Sequence, residues 1–127
     1  MEAVVIVTVL VLVQYTYFGI LVGGAHQKYG IKVPAMSGAE EFERINRVHQ
    51  NTLEQLVVLI PALWIYAHYV NPLGGAGIGV VYLIGRFIYS SAYTKDPSSR
   101  SLGFMLSFLP SAVMLGWSLV VAIMSYL

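Results

Sequence analysis

The chain has 127 residues, 57% of them hydrophobic and 10% charged, with a mean hydropathy of +0.73. A soluble domain of this size cannot hide so much apolar surface, so lipid has to cover part of it, and one membrane-embedded unit over 1–127 is expected. A net charge of +1 argues against a nucleic-acid partner, and the lack of cysteine excludes disulfides, thiolate metal sites and a cysteine nucleophile.

A spanning helix needs about 20 mostly apolar residues. The stretch from Ala3 to Ala25 carries no charge, and a first helix is expected over about 3–27. Its small Gly23-Gly24-Ala25 end resembles a signal-peptide cleavage site, but the stretch lacks a basic start and is too long for a signal core, so it reads as a retained helix. A polar loop follows, ended by Ser37-Gly38-Ala39-Glu40, which has the spacing of a capping box. The second helix is expected over about 38–70, polar in its first half and bent near Pro61, which cannot donate to Val57. Asn71-Pro72-Leu73-Gly74-Gly75 reads as an uncharged turn and leads into a third helix over about 75–94. Asp96-Pro97 is a good N-cap followed by proline, so a fourth helix is predicted over about 97–126. Short connections make neighbours antiparallel, which gives an all-α, up-down-up-down bundle of four transmembrane helices.

The basic residues set the expected topology. Lys28, Lys32, Arg44 and Arg47 flank the first loop and Lys95 and Arg100 the third, while Arg86 lies in the half of helix 3 that leads there. By the positive-inside rule, loops 28–37 and 94–97 face the cytoplasm and both termini face away. With no retention signal after the fourth helix, a bacterial inner membrane is favoured over the endoplasmic reticulum.

Charged groups within spans are costly and mark function, and three sets stand out. Arg47, Asn51 and Glu54 follow i, i+4, i+7 spacing, which lines a guanidinium, an amide and a carboxylate along one face of helix 2. A zwitterionic peptide finds complementary partners there. Arg44 and Glu43 read as a solvated helix start, with Glu43–Arg47 as a surface pair. Arg86, Tyr89 and Tyr93 form a second stripe, suited to an anion or a peptide backbone, although tyrosines also populate the aromatic belt of a membrane interface. Arg100, in the first turn of helix 4, opposes the helix dipole. Either it pairs with Asp96 or a lipid phosphate, or it builds an anion site with the helix N-terminus that a thiolate would suit. The histidines, His26, His49 and His68, show no metal-ligand spacing, so no metal is expected. Gly19/Gly23 and Gly75/Gly79 are small-residue pairs that allow close helix contact.

The run Phe42-Glu43-Arg44-Ile45-Asn46-Arg47-Val48-His49-Gln50-Asn51-Thr52-Leu53-Glu54 resembles the second-helix signature of the MAPEG proteins, the membrane-associated family of eicosanoid and glutathione metabolism. It is most similar to that of the type 3 microsomal glutathione transferases. A second similar stretch is Val81-Tyr82-Leu83-Ile84-Gly85-Arg86, followed by Tyr89, Tyr93, Asp96-Pro97 and Arg100.

The resemblance implies a homotrimer that binds glutathione between subunits near the cytoplasmic side. Arg47, His49, Asn51 and Glu54 would then contact the peptide from helix 2, and Arg86, Tyr89 and Tyr93 from helix 3. Arg100 would stabilise the glutathione thiolate. The implied activity is glutathione transfer to lipophilic electrophiles or reduction of lipid hydroperoxides, with membrane lipid as a further partner. Two departures stand out: His26-Gln27-Lys28 replaces a more basic helix end, and Gln55 replaces an aromatic residue of the family's leukotriene synthase branch. The competing reading is a non-enzymatic scaffold of the same fold, which has no need of so complete a polar set. A small four-helix drug exporter would place a carboxylate inside helix 1, and none occurs between Ala3 and Ala25.

Overall fold

The computed structural model describes residues 1–127 and is entirely helical outside its connections. Four α-helices follow in order: α1 (Glu2–Lys28), α2 (Glu40–Tyr69), α3 (Pro72–Lys95) and α4 (Ser101–Tyr126), with a short 3₁₀ turn, Pro97–Ser99, before the last. Three of them, α1, α3 and α4, are long and apolar enough to cross a membrane. The 30-residue α2 spans about 45 Å at 1.5 Å per residue, but its first half is charged.

The packing places α2 and α3 at the centre, while α1 and α4 each lie on both of them. Helical spacing explains which residues go inside. Val4, Val7, Val11, Gln14 and Phe18 repeat at three- and four-residue steps and form the buried face of α1. Leu56, Leu59, Leu63 and Tyr66 answer them from α2, with Tyr82 of α3 and Met114 of α4 completing the core. The opposite faces stay apolar and exposed, as lipid-facing surfaces require: Ile6, Val13 and Ile20 on α1, and Trp117, Leu119 and Val120 on α4. Two polar staples cross this core. Gln14 Nε2 donates to the Leu83 carbonyl at 2.8 Å, and Trp64 Nε1 donates to Thr8 Oγ1 at 3.0 Å.

Small residues set the closest crossing, between α3 and α4. A Cβ on Gly103 would fall 2.4 Å from the Tyr89 backbone, and one on Gly85 would fall 2.6 Å from Leu106 Cβ and 2.8 Å from its carbonyl carbon. Of the pairs picked out from sequence, Gly75 and Gly79 do lie at contacts, against Tyr66 and Leu63 and against Val7. Gly19 faces the His49 ring, while Gly23 meets nothing within 4 Å.

Several helix boundaries differ from the sequence expectation. The Ser37–Glu40 capping box does not form: α2 starts at Glu40 behind Ala39, with no side-chain cap. The Glu40 carboxylate instead pairs with Arg44 one turn on, so it is not free to reach back to Ser37. The third helix begins earlier than 75, because Asn71 Oδ1 accepts from the Gly74 N–H at 3.1 Å and Pro72 fits the first turn. The fourth begins later than 97. Asp96 caps the 3₁₀ turn, and the α-helix proper starts at Ser101 and carries Pro110 inside it.

Candidate functional site

At the end of the bundle where α2 begins and α3 ends, a cleft of about 550 Å³ opens between α2, α3 and α4. Arg47 and Asn51 line it from α2, Tyr89 and Tyr93 from α3, and Arg100, Ser101, Phe104 and Met105 from α4 and the turn before it. Five of the residues singled out in the sequence therefore share one space.

On α2, Arg47 Nη1 lies 3.4 Å from Glu54 Oε1, and Asn51 Nδ2 donates to the same oxygen at 3.2 Å. The i, i+4, i+7 stripe is thus one continuous polar strip, and the expected Glu43–Arg47 pair gives way to it. Glu54 sits at the strip's inner end and opens onto a separate, largely apolar cleft of about 290 Å³ between α2 and α4, with Gln55, Val58, Phe108 and Leu115.

On α3, the second stripe is a stack. The Arg86 guanidinium lies 4.3 Å over the Tyr89 ring, and the Tyr89 and Tyr93 rings are parallel within 11° at 5.4 Å. Arg86 itself is beneath the cleft rather than on its surface: it is 0% exposed. It donates from Nη1 to Asn51 Oδ1 at 3.0 Å and from Nη2 to Thr52 Oγ1 at 2.9 Å, while its Nε has no partner. No carboxylate pairs with it.

Arg100 is exposed at the cleft mouth, and its nearest hydrogen bond is a long one to the Pro97 carbonyl, 3.4 Å. Asp96 does not reach it. That carboxylate instead accepts from the Ser98 N–H at 3.1 Å and the Ser98 hydroxyl at 2.8 Å, and these bonds hold its pKa below the usual carboxylate range. Arg47 has a carboxylate partner, whereas Arg86 and Arg100 have none, so the site carries two uncompensated positive charges. Such a cleft favours a ligand of net negative charge.

His49 is not brought to this cleft. It follows Arg47 by two residues, about 200° around the helix, and its ring stacks on Tyr15 of α1 at 4.5 Å. Arg44 braces the site from outside. It pairs with Glu40 and donates to the carbonyls of Thr94 and Lys95, which tethers the start of α2 to the end of α3. A guanidinium is favourable at that helix C-terminus. Phe104, Met105 and Thr52 escaped the sequence reading. Phe104, four residues on from Arg100, continues the face that Arg100 begins, a signal the helical period would have given; Met105 is a further step round the helix, and Thr52 needed the position of Arg86.

Residues 4–120 match the model of the MAPEG family. An uncharacterized protein of Synechocystis sp. is 41% identical over 109 residues, which cover 86% of this chain and 80% of that relative. Microsomal glutathione S-transferase 2 of Homo sapiens is 38% identical over 101 residues, covering 80% of this chain and 69% of its own. Leukotriene C4 synthase of Bos taurus is 30% identical over 94 residues, covering 74% and 63%. With a family match across nearly its whole length, and with three helices able to cross a bilayer, the chain is an integral membrane protein of the MAPEG family.

Proposed function

We propose that this chain is a membrane-bound glutathione transferase, with glutathione-dependent peroxidase activity toward lipid hydroperoxides. The observation that carries the reading is the convergence of Arg47, Asn51, Tyr89, Tyr93 and Arg100 on one cleft with a surplus of positive charge. Relatives named as glutathione transferases support the choice of ligand. Glutathione bears two carboxylates and one ammonium. Arg47 and the Asn51 amide suit a carboxylate or peptide carbonyl, Glu54 suits the ammonium, and the tyrosines offer hydroxyls and ring faces to the peptide.

In this reading Arg100 acts on sulfur. A free thiol with a pKa near 8.5 is only a few per cent ionised at pH 7, and a guanidinium beside it lowers that pKa by about two, making thiolate the major form. The thiolate attacks the electrophilic carbon of a lipophilic substrate, forming a C–S bond while the displaced or opened group takes up a proton. With a hydroperoxide, sulfur attacks the outer oxygen and alcohol leaves; a second glutathione then resolves the sulfenic acid to disulfide and water. The apolar cleft between α2 and α4, which begins at Glu54, suits the approach of the second substrate from lipid. The protein supplies orientation and charge stabilisation and forms no covalent intermediate.

The reading includes four membrane crossings within one domain, a homotrimer and a bacterial inner membrane, with loops 28–37 and 94–97 cytoplasmic and the termini opposite. His49 belongs to it only through a neighbouring subunit, since it faces away from the cleft of its own chain. The test is a glutathione titration of the detergent-solubilised protein that follows thiolate absorbance, then assays of conjugation and hydroperoxide reduction. Thiolate formation with turnover supports the enzyme. Binding with neither thiolate nor turnover leaves a non-enzymatic scaffold.

A further inference from the structure

Arg86 is the one guanidinium of the site that no ligand can touch directly, because it is fully buried beneath the cleft wall. Its chemistry nonetheless fixes something the ligand meets. A guanidinium has five N–H donors and no acceptor. The Asn51 atom facing it therefore has to be the carbonyl oxygen, and the 3.0 Å bond from Nη1 to Oδ1 has that sense. This settles the orientation of an amide whose two ends are otherwise hard to tell apart. With Oδ1 held inward, the amide nitrogen points the other way: one N–H goes to Glu54 Oε1 at 3.2 Å, and the other is left for the cleft that Asn51 lines. Thr52 keeps the arrangement in place. Its hydroxyl accepts from Arg86 Nη2 and donates to the Val48 carbonyl at 2.7 Å, so it has no freedom to turn.

The same side chain also positions the other wall. The guanidinium over the Tyr89 ring, and Tyr89 stacked on Tyr93, make a three-membered series that runs from the buried interior to the cleft mouth.

We propose that Arg86 is a positioning residue: by holding the Asn51 carbonyl oxygen it turns the Asn51 N–H outward, and so makes that wall selective for a ligand oxygen acceptor, a carboxylate or carbonyl. The inference rests on the glutathione reading above and adds to it which kind of atom the Asn51 N–H donates to and what holds it outward.

Three variants test it, each measured for glutathione affinity, for kcat and KM, and for thermal unfolding in detergent. In Arg86→Gln the new amide can donate or accept, so the Asn51 carbonyl loses its donor-only partner and only the Glu54 carboxylate still favours the outward N–H; KM for glutathione should rise about tenfold with kcat nearly unchanged. Arg86→Lys is donor-only, and it should restore KM to within about threefold of wild type. Asn51→Asp keeps an acceptor for Arg86 but has no N–H; its new ion pair with Arg86 offsets the carboxylate contact it makes with Glu54, so it should unfold near the wild-type temperature yet bind glutathione at least tenfold more weakly. A merely structural role predicts the reverse, with losses that follow unfolding temperature. Wild-type affinity in Asn51→Asp overturns the inference, as do equal KM values for Arg86→Gln and Arg86→Lys. Should Arg86→Gln fail to fold, Asn51→Asp decides. A wild-type protein that binds no glutathione at all defeats the functional reading itself, which is a different result from normal wild-type binding with indifferent variants.

Discussion

Gly103 rests directly on the backbone of Tyr89: a Cβ at Gly103 would lie 2.4 Å from both the Cα and the nitrogen of Tyr89. One helix crossing therefore sets both the packing of α4 and the place of a tyrosine that lines the cleft. Backbone atoms cannot swing aside as a side-chain tip does. Gly103→Ala should push α4 off α3, destabilise the fold by about 1–3 kcal/mol or more, and weaken ligand binding alongside. Gly116→Ala is the control, since a Cβ there meets nothing within 4 Å. Unfolding curves in detergent check both, and equal stabilities would contradict this account of the crossing.

Arg100→Ala should still bind glutathione through Arg47, Asn51 and the tyrosines, but should fail to ionise it. A cation beside a thiol favours the charged form, so removing the cation raises the thiol pKa from about 6.5 back toward about 8.5. Thiolate at pH 7 then falls by roughly 25-fold, and turnover falls with it, recovering as the pH rises toward 9. A pH–rate profile unchanged by the substitution would remove Arg100 from the chemistry.

Glu54 makes an ion pair with Arg47 in which both side chains are about half exposed, 59% and 45%. Such pairs contribute little to folding, about 0–1 kcal/mol. Glu54→Gln should therefore leave the unfolding temperature nearly unchanged. If Glu54 receives the ligand ammonium, glutathione should bind about tenfold more weakly to this variant, whereas an analogue lacking the amino group should bind wild type and variant alike. Calorimetric titration of both ligands distinguishes these outcomes.

Asp96 gives a pH dependence with a defined sign. Its hydrogen bonds to Ser98 hold its carboxyl below the usual range in the folded state, so its contribution is present above the unfolded pKa near 4 and is lost as the pH falls through the lower folded value. Asp96→Ala should lower the unfolding temperature at neutral pH and flatten its decline below about pH 4. A decline as steep as that of wild type would show that another carboxylate dominates.

Much of the site was legible because helical period reports which face a residue is on. Arg47, Asn51 and Glu54 sit side by side as their spacing requires, and Arg86, Tyr89 and Tyr93 stack in register. Period does not report depth. Arg86 and Tyr93 share a face, yet Arg86 is sealed in against Asn51 and Thr52 of α2 while Tyr93 opens on the cleft. His49 entered through family likeness alone, and its own spacing from Arg47 already set it on the other side. The tightest crossing escaped notice because Gly85 and Gly103 lie on different helices, and no pattern within one segment pairs them. The early start of α3 was hidden by Asn-Pro and Gly-Gly, which read as a turn until the Asn71 cap is seen.

Both tryptophans stand apart from the cleft. Tyr89 and Tyr93 flank the cleft as a parallel pair, whereas Trp64 and Trp117 lie near His68 and Tyr66, toward the far end of α2. The molecule thus carries an optical gauge of its own: occupancy should register in tyrosine absorbance and leave indole emission still, with no dye or label attached.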